Sequence, residues 1–171
     1  MKTLLVASYL FISSFSFQEE PLSKIAQIKL PTNASKLAKE NLKGFIQKKA
    51  LTGAKAMESI KHTYIVDNIL IGFEDFNTDK ETSQTLDDIK DDILGEGEEL
   101  LATGRKVNII NVNNKKFLIS KQVFNGEYYY TFHSDFVNKK GITGSVAFKK
   151  QDQEKGEKIF EDLIKNLSFK N

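Results

Sequence analysis

The stretch Lys106–Lys149, KVNIINVNNKKFLISKQVFNGEYYYTFHSDFVNKKGITGSVAFK, contains the clearest structural pattern in this chain. Segments in which apolar and polar residues alternate are separated by Asn113-Asn114 and by Asn125-Gly126. An Asn-Gly pair between alternating segments is the strongest short-range signal for a β-hairpin, because a type I′ turn needs positive φ at both central residues. The stretch therefore predicts a meander of four antiparallel strands.

The two turns also fix which residues lie opposite each other. A two-residue turn at Asn125-Gly126 places Val123 opposite Tyr128, and the earlier turn places Ile110 opposite Phe117. Because side chains alternate between the faces of a strand, one face of this sheet is apolar enough to form a core. Its predicted members are Ile110, Phe117, Ile119, Val123, Tyr128, Tyr130, Phe132, Val146 and Phe148.

The opposite face of the predicted sheet is mixed in character. It is too apolar to face solvent along its whole length and too polar for a fully apolar core, which favours partial cover by a helix. The end at Tyr129, Thr131 and His133 is predicted to be more exposed to solvent. Its members are Ile109, Leu118, Ser120, Gln122, Phe124, Tyr129, Thr131, His133 and Ser145. An antiparallel sheet flanked by helices gives an α+β sandwich.

Further elements are predicted outside the meander by the spacing of apolar residues. They are a strand over 24–30, a helix over 34–50, a strand over 63–76 that joins the meander, a helix from Leu86, and a final helix that Asp152 can cap. The final helix has the most regular apolar stripe, formed by Ile159, Phe160, Leu163, Ile164 and Leu167.

The N-terminus has the composition of a secretory signal peptide. Lys2 supplies the positive charge, and the apolar stretch Leu4–Phe17 is 14 residues long, shorter than the ~20 residues that span a bilayer. We predict a signal peptide at 1–18, a tether at 19–23 and a single globular α+β domain at 24–171. The cysteine-free domain would be exported, periplasmic or secreted, with no integral membrane span after cleavage.

The C-terminal half has three features in a characteristic order. An aromatic hairpin strand at Tyr128–Phe132 is followed by a strand at Ile142–Lys149, and then by an amphipathic helix that ends in Leu167–Phe169. Over roughly residues 62–169, this order resembles the PsbP-like fold of exported and lumenal proteins, which includes photosystem II extrinsic subunits. The resemblance implies an α/β/α sandwich, and it brings no functional residues that could be transferred to this chain.

The sequence lacks the usual catalytic and metal-binding patterns. Its two histidines, His62 and His133, have no HExxH spacing and no cysteine partner, and we expect His62 at the surface. The acidic residues over 87–99 do not match an EF-hand loop and predict a solvated helix face. We therefore predict a chain that is not an enzyme and has no metal or cofactor.

Two binding hypotheses remain open. Lys36, Lys39 and Lys43 are predicted to form a basic helix face, which could bind a protein or envelope partner. The competing hypothesis is a small-ligand carrier with a pocket between sheet and helix near Tyr129, Thr131 and His133. Nucleic acid is not a predicted partner, because the formal net charge of +2 falls to +1 when Lys2 is removed.

Overall fold

The computed structural model describes residues 23–77, 84–95 and 104–170. The predicted signal peptide at 1–18 and residues 19–22 of the predicted tether lie outside these ranges. Ser23, the last residue of that tether, is buried, and its hydroxyl oxygen accepts hydrogen bonds from the N–H groups of Ile25 and Ala26. Ser23 therefore belongs to the folded part of the chain.

The described chain forms one seven-stranded antiparallel sheet, a small two-stranded sheet and four helices. The strands are β1 (Ala26–Gln27), β2 (Ser35–Lys36), β3 (His62–Val66), β4 (Ile69–Asn77), β5 (Lys106–Val112), β6 (Lys115–Phe124), β7 (Glu127–Ser134), β8 (Lys140–Lys149) and β9 (Ser168–Phe169). The helices are α1 (Lys39–Lys49), a 3₁₀ helix (Thr52–Ser59), α2 (Leu86–Gly95) and α3 (Gln153–Asn166). The large sheet has the order β2-β3-β4-β8-β7-β6-β5, and β1 pairs with β9.

The predicted meander is confirmed in both its turns and its register. Asn113 and Asn114 have φ of 52° and 61°, while Asn125 and Gly126 have φ of 50° and 73°, as type I′ turns require. The strands pair as the turns dictate: Val123 lies opposite Tyr128 and Ile110 opposite Phe117. The turn chemistry was therefore sufficient to place every residue of β6 and β7 on its face of the sheet.

The single strand predicted over 63–76 was wrong, because this segment is a hairpin of β3 and β4. The chain reverses at Asp67-Asn68, where Asp67 has a φ of 54°. Neither turn residue is glycine, and the apolar run Ile69–Ile71 that follows has the appearance of a strand continuing through the turn. The second arm, β4, pairs with β8 and so joins the hairpin to the meander.

The helix predicted over 34–50 begins later than expected, at Lys39. Ser35 and Lys36 instead form β2, the edge strand that pairs with β3, and the N–H of Leu37 donates to the carbonyl of Thr63 at 2.9 Å. Pairing with β3 satisfies these backbone groups and delays the helix. The strand predicted over 24–30 is likewise reduced to β1, which pairs only with β9.

Two hydrophobic cores lie on opposite faces of the sheet, which confirms the α/β/α arrangement. The apolar face of the meander packs with Ile159, Phe160, Leu163 and Ile164 of α3. Leu42 and Ile46 of α1, with Ala54 and Met57 of the 3₁₀ helix, form the other core around Leu70 and Ala147. Val123 does not join the core as predicted: its side chain is 40% exposed near the tip of its hairpin.

The start of α3 differs from expectation in one detail. Asp152 occupies the N-cap position, but its side chain makes no capping hydrogen bond. Instead, residues Lys150–Asp152 form a 3₁₀ turn that leads from β8 directly into α3.

Candidate functional site

The strip formed by Tyr129, Thr131 and His133 lies on β7, on the face covered by α1 and the 3₁₀ helix. All three side chains are half-buried. The Tyr129 hydroxyl lies 3.3 Å from the hydroxyl oxygen of Ser145 on β8, and burial raises the pKa of Tyr129. The structure therefore places the three predicted residues on one strand face, where their side chains are less exposed to solvent than the sequence suggested.

His133 is held by contacts within the sheet. Its Nδ1 lies 3.0 Å from the hydroxyl oxygen of Thr143, and its ring packs edge-on against Phe76 with 5.8 Å between the ring centroids. Burial lowers the pKa of His133 from 6.5 to about 4. The imidazole is consequently neutral at physiological pH and packs as a polar member of the sheet face.

Acidification is expected to destabilise the protein through His133. Between pH 6.5 and pH 4 the unfolded chain binds a proton at this histidine that the folded chain does not, so stability falls as the pH drops through that window. At pH 5 the loss attributable to His133 is about 2 kcal/mol. Urea unfolding at pH 7 and pH 5 should show this extra loss in the wild type and not in His133→Gln. Equal losses in the two proteins would contradict the assignment.

His62, expected at the surface, is buried at the start of β3, with 8% of its area exposed. The sequence places it between Lys61 and Thr63, which gives no sign of burial. The pairing of His62 with Phe73 on β4 draws it into the sheet. No group of three His, Cys, Asp or Glu side chains suited to a metal ion occurs in the described part of the chain.

The predicted lysine surface is split between two elements. Lys36 lies on the edge strand β2, whereas Lys39 and Lys43 lie one turn apart on α1. All three side chains are exposed, and none forms a hydrogen bond or ion pair with another residue in the described ranges. Because α1 begins at Lys39 and not at residue 34, these exposed lysines lie at a junction of strand and helix and not on a single helix face.

Glu127 is a buried carboxylate that sequence reasoning missed. It accepts hydrogen bonds from the Thr52 hydroxyl (3.0 Å), the Gly53 N–H (3.0 Å) and the Lys149 ammonium (3.1 Å). Burial by itself would raise the pKa of Glu127, but the bonds from Gly53, Lys149 and Thr52 together outweigh it and lower the pKa. Glu127 thus ties the 3₁₀ helix to the sheet, beside a 230 Å³ pocket that Tyr129 and Phe124 help to line.

Replacing Glu127 by glutamine is expected to destabilise the protein by about 1–2 kcal/mol, because charged hydrogen bonds are lost and the amide nitrogen faces donors. Glu161→Gln, at an exposed position on α3, is the matched control and should cost no more than about 0.5 kcal/mol, because it removes only the exposed ion pair with Lys165. Urea unfolding of the three proteins measures the difference. Equal stability of Glu127→Gln and the wild type would show that the carboxylate does not tie these elements together.

The acidic residues of α2 form a solvated helix face, as predicted for Asp87, Asp88, Asp91 and Asp92, which are all exposed. Asp88 accepts a 2.6 Å hydrogen bond from the N–H of Thr85, and the N–H of Asp88 donates in return to the Thr85 hydroxyl at 3.2 Å. These bonds lower the pKa of Asp88 and form a reciprocal helix cap. The glutamates of this cluster lie outside the described residues.

Comparison with known proteins supports the fold and gives no further identification. No protein-family model and no curated protein sequence matches the chain. The structure is similar to the solution structure of cyanobacterial PsbP (CyanoP) from Synechocystis sp. PCC 6803, with a TM-score of 0.50 and 9% sequence identity. The match covers 85% of this chain and 86% of that chain. The fold is PsbP-like, as the order of elements predicted.

The likeness to CyanoP is one of fold alone at this level of identity, since a shared fold does not by itself imply a shared function. Among the described residues no helix is both long enough and apolar enough to cross a membrane.

Proposed function

We propose that this chain is an exported, non-catalytic domain that binds a protein or envelope partner through Lys36, Lys39 and Lys43. The observation that carries the proposal is the exposure of these three side chains without an ion pair to any described residue. Surface ion pairs contribute only about 0–1 kcal/mol each to stability. Three exposed cations on adjoining elements are thus explained better by binding than by folding.

The distribution of charge along the chain supports this proposal. Between residues 34 and 61 there are seven lysines and two glutamates, although the whole chain has a formal net charge of only +2. The segment that contains β2, α1 and the 3₁₀ helix therefore carries an excess of five positive charges. A patch of one sign attracts a partner of the opposite sign and accelerates its association. The expected partner presents an acidic surface.

Reversing the charge of this surface is the direct test of the proposal. Lys36→Glu, Lys39→Glu and Lys43→Glu are combined in one variant, and the control variant carries Lys106→Glu, Lys116→Glu and Lys140→Glu. The control lysines are also exposed. Each variant replaces three lysines by glutamates, so the two variants have the same net charge. Capture of partners from the host's envelope extract should fall by about tenfold or more in the first variant only. Equal capture by the two variants would contradict this surface.

The export of the domain rests on the predicted signal peptide at 1–18. N-terminal sequencing of the protein purified from its own host should find a start near residues 17–19. A chain that retains residues 1–18 would contradict the export route proposed for it.

A small-ligand carrier is the second candidate function, and the pocket beside Tyr129 favours it. Tyr129 and the buried Glu127 both line this 230 Å³ pocket, whereas Thr131 and His133 do not. Native mass spectrometry of the protein from its host should then show a small added mass that Tyr129→Ala abolishes while the fold is kept. An added mass that persists in this variant would contradict the carrier site.

A further inference from the structure

A basic pocket lies at the end of the sandwich where α1 ends and α3 begins. It has a volume of 430 Å³, within the range of small-molecule sites. Its lining comes from four separate parts of the chain: Lys48, Lys49, Asn68, Gly126, Lys149, Lys150, Gln151 and Asp152. These segments are the end of α1, the β3–β4 turn, the β6–β7 turn and the 3₁₀ turn before α3.

Hydrogen bonds position two of the four lysines in this pocket. The Lys49 ammonium donates to the side-chain oxygen of Asn68 at 2.7 Å, and the Lys149 ammonium donates to Glu127 at 3.1 Å. Asn68 is a neutral acceptor, so it orients Lys49 without compensating its charge. Lys149, in contrast, is partly neutralised.

Lys48 and Lys150 complete the set of cations. Both side chains are exposed, and neither forms a hydrogen bond or ion pair with a described residue. The N–H of Lys150 donates to the carbonyl of Gly126 at 2.9 Å, which fixes the backbone at this position against the β6–β7 turn. The pocket is therefore lined by two lysines whose ammonium groups have no partner in the described chain.

Positive charge exceeds negative charge around the pocket even when nearby carboxylates are counted. Asp152 is the only acidic residue that lines it, and one oxygen of its carboxylate is buried without a hydrogen-bond partner in the described chain. Glu127 lies behind Lys149, and Asp67 in the adjacent turn is bound by Lys155 on α3. Four lysines thus face one lining carboxylate.

The N-terminus of α3 adds to this positive field. The helix is 14 residues long and begins at Gln153, directly after the lining residues, and the peptide dipoles give its N-terminus a partial positive charge. Such ends favour phosphate and other anions. Lysine ammonium groups are compact charges with three donors each, which suits an anion that offers several acceptor oxygens.

We propose that this pocket binds a phosphate group carrying two negative charges, either as a soluble phosphate or as the monoester headgroup of a lipid. The inference does not rest on the proposed partner surface, because it uses other lysines and is tested with other variants. Lys48, Lys49 and Lys150 bind the phosphate oxygens, with the start of α3 beside them. Asp152 opposes binding and limits the affinity.

Titration of the purified protein with inorganic phosphate tests the site, with sodium chloride at equal ionic strength as the reference. Amide resonances of Gly126 and Lys150 should shift saturably with phosphate and not with chloride. Replacing Lys48 and Lys150 together by glutamine should weaken binding about tenfold or more, since a hydrogen bond to a charged group is worth on the order of that factor. Asp152→Asn should bind severalfold more tightly.

Lys106→Gln with Lys116→Gln is the matched control, because it removes the same charge from exposed positions on β5 and β6. This control should bind phosphate as the wild type does. Shifts that are not saturable, or that are equal with chloride, would overturn the proposal. The proposal would also be overturned if the Lys48→Gln, Lys150→Gln variant and the control variant lost phosphate binding equally, because the effect would then be one of net charge.

A second arm distinguishes the two sources of phosphate. In one experiment the protein is floated with vesicles of phosphatidylcholine, with or without phosphatidic acid. In a separate experiment the protein is titrated with glycerol phosphate in solution. Flotation only with phosphatidic acid supports a lipid headgroup, and binding of glycerol phosphate without flotation supports a soluble ligand. Binding to neither probe, together with no saturable shift by inorganic phosphate, overturns the site.

Discussion

Replacing Phe132 by alanine is expected to destabilise the protein by about 3–5 kcal/mol, the usual cost of deleting a fully buried aromatic side chain. Phe132 has no exposed area. Its ring lies 6.0 Å from that of Phe117, 6.1 Å from that of Phe160 and 6.4 Å from that of Phe73, measured between centroids. The side chain thus joins β4, β6 and α3 in a single aromatic cluster, and its removal would leave a cavity at the centre of that cluster.

Phe124→Ala is the matched control for this substitution. Phe124 lies on β6 and is 50% exposed, so its removal should change stability by no more than about 0.5 kcal/mol. Urea unfolding of both variants measures the contrast. Equal losses for Phe132→Ala and Phe124→Ala would contradict the placement of the core on this face of the meander.

Replacing Gly144 by alanine is expected to cost about 3 kcal/mol, the upper end of the range for overpacking. Gly144 on β8 lies directly opposite Phe132, and a Cβ atom there would stand 2.2 Å from the nearest atom of that ring. Strand β8 is paired with β4 on one side and with β7 on the other, so its backbone cannot move away. The absence of a side chain at Gly144 is what admits the ring of Phe132.

Two further variants test the cause of this cost. Gly44→Ala should be stabilising by up to about 1 kcal/mol, because Gly44 lies inside α1 and a Cβ atom added there would meet no other side chain or element within 4 Å. Phe132→Leu combined with Gly144→Ala should lose less stability than the sum of the single changes, because leucine leaves room for the methyl group. Strict additivity in thermal or urea unfolding would contradict a direct contact between Gly144 and Phe132.

The parts of the fold that the sequence predicted correctly are those specified by local chemistry. The asparagine-containing turns at 113–114 and 125–126 require positive φ, and this requirement places every residue of β6 and β7. The apolar stripe of α3 is equally local. The Asp67-Asn68 turn escaped prediction because it contains no glycine and is followed at once by the apolar run Ile69–Ile71, which suggested one continuous strand. Strand β2 escaped because it depends on its pairing with β3.

The candidate sites were less predictable, because they depend on contacts between distant segments. The three lysines of the partner surface were found as a charge pattern, but their division between β2 and α1 was not. Nothing in the sequence around Glu127 indicated its hydrogen bonds with Thr52 and Gly53, which are 75 and 74 residues away along the chain. The basic pocket likewise combines four segments, which no local pattern could have joined.

The burial of the two histidines shows the same limit. A histidine is equally compatible with solvent and with a satisfied position inside a sheet, so the flanking residues of His62 did not decide between them. For His133, alternation placed the side chain on the correct face, while its contact with Phe76 depends on β4. Faces of strands were thus predictable, whereas cover from distant elements was not.

Crosslinking of the protein in its host's envelope tests the central claim most directly, because it records which lysines meet a partner. A lysine-reactive crosslinker is applied to intact envelopes, and the linked residues are identified by mass spectrometry. We expect links to other proteins to be concentrated at Lys36, Lys39 and Lys43. Links distributed equally over the exposed Lys106, Lys116 and Lys140 would contradict a partner surface at β2 and α1.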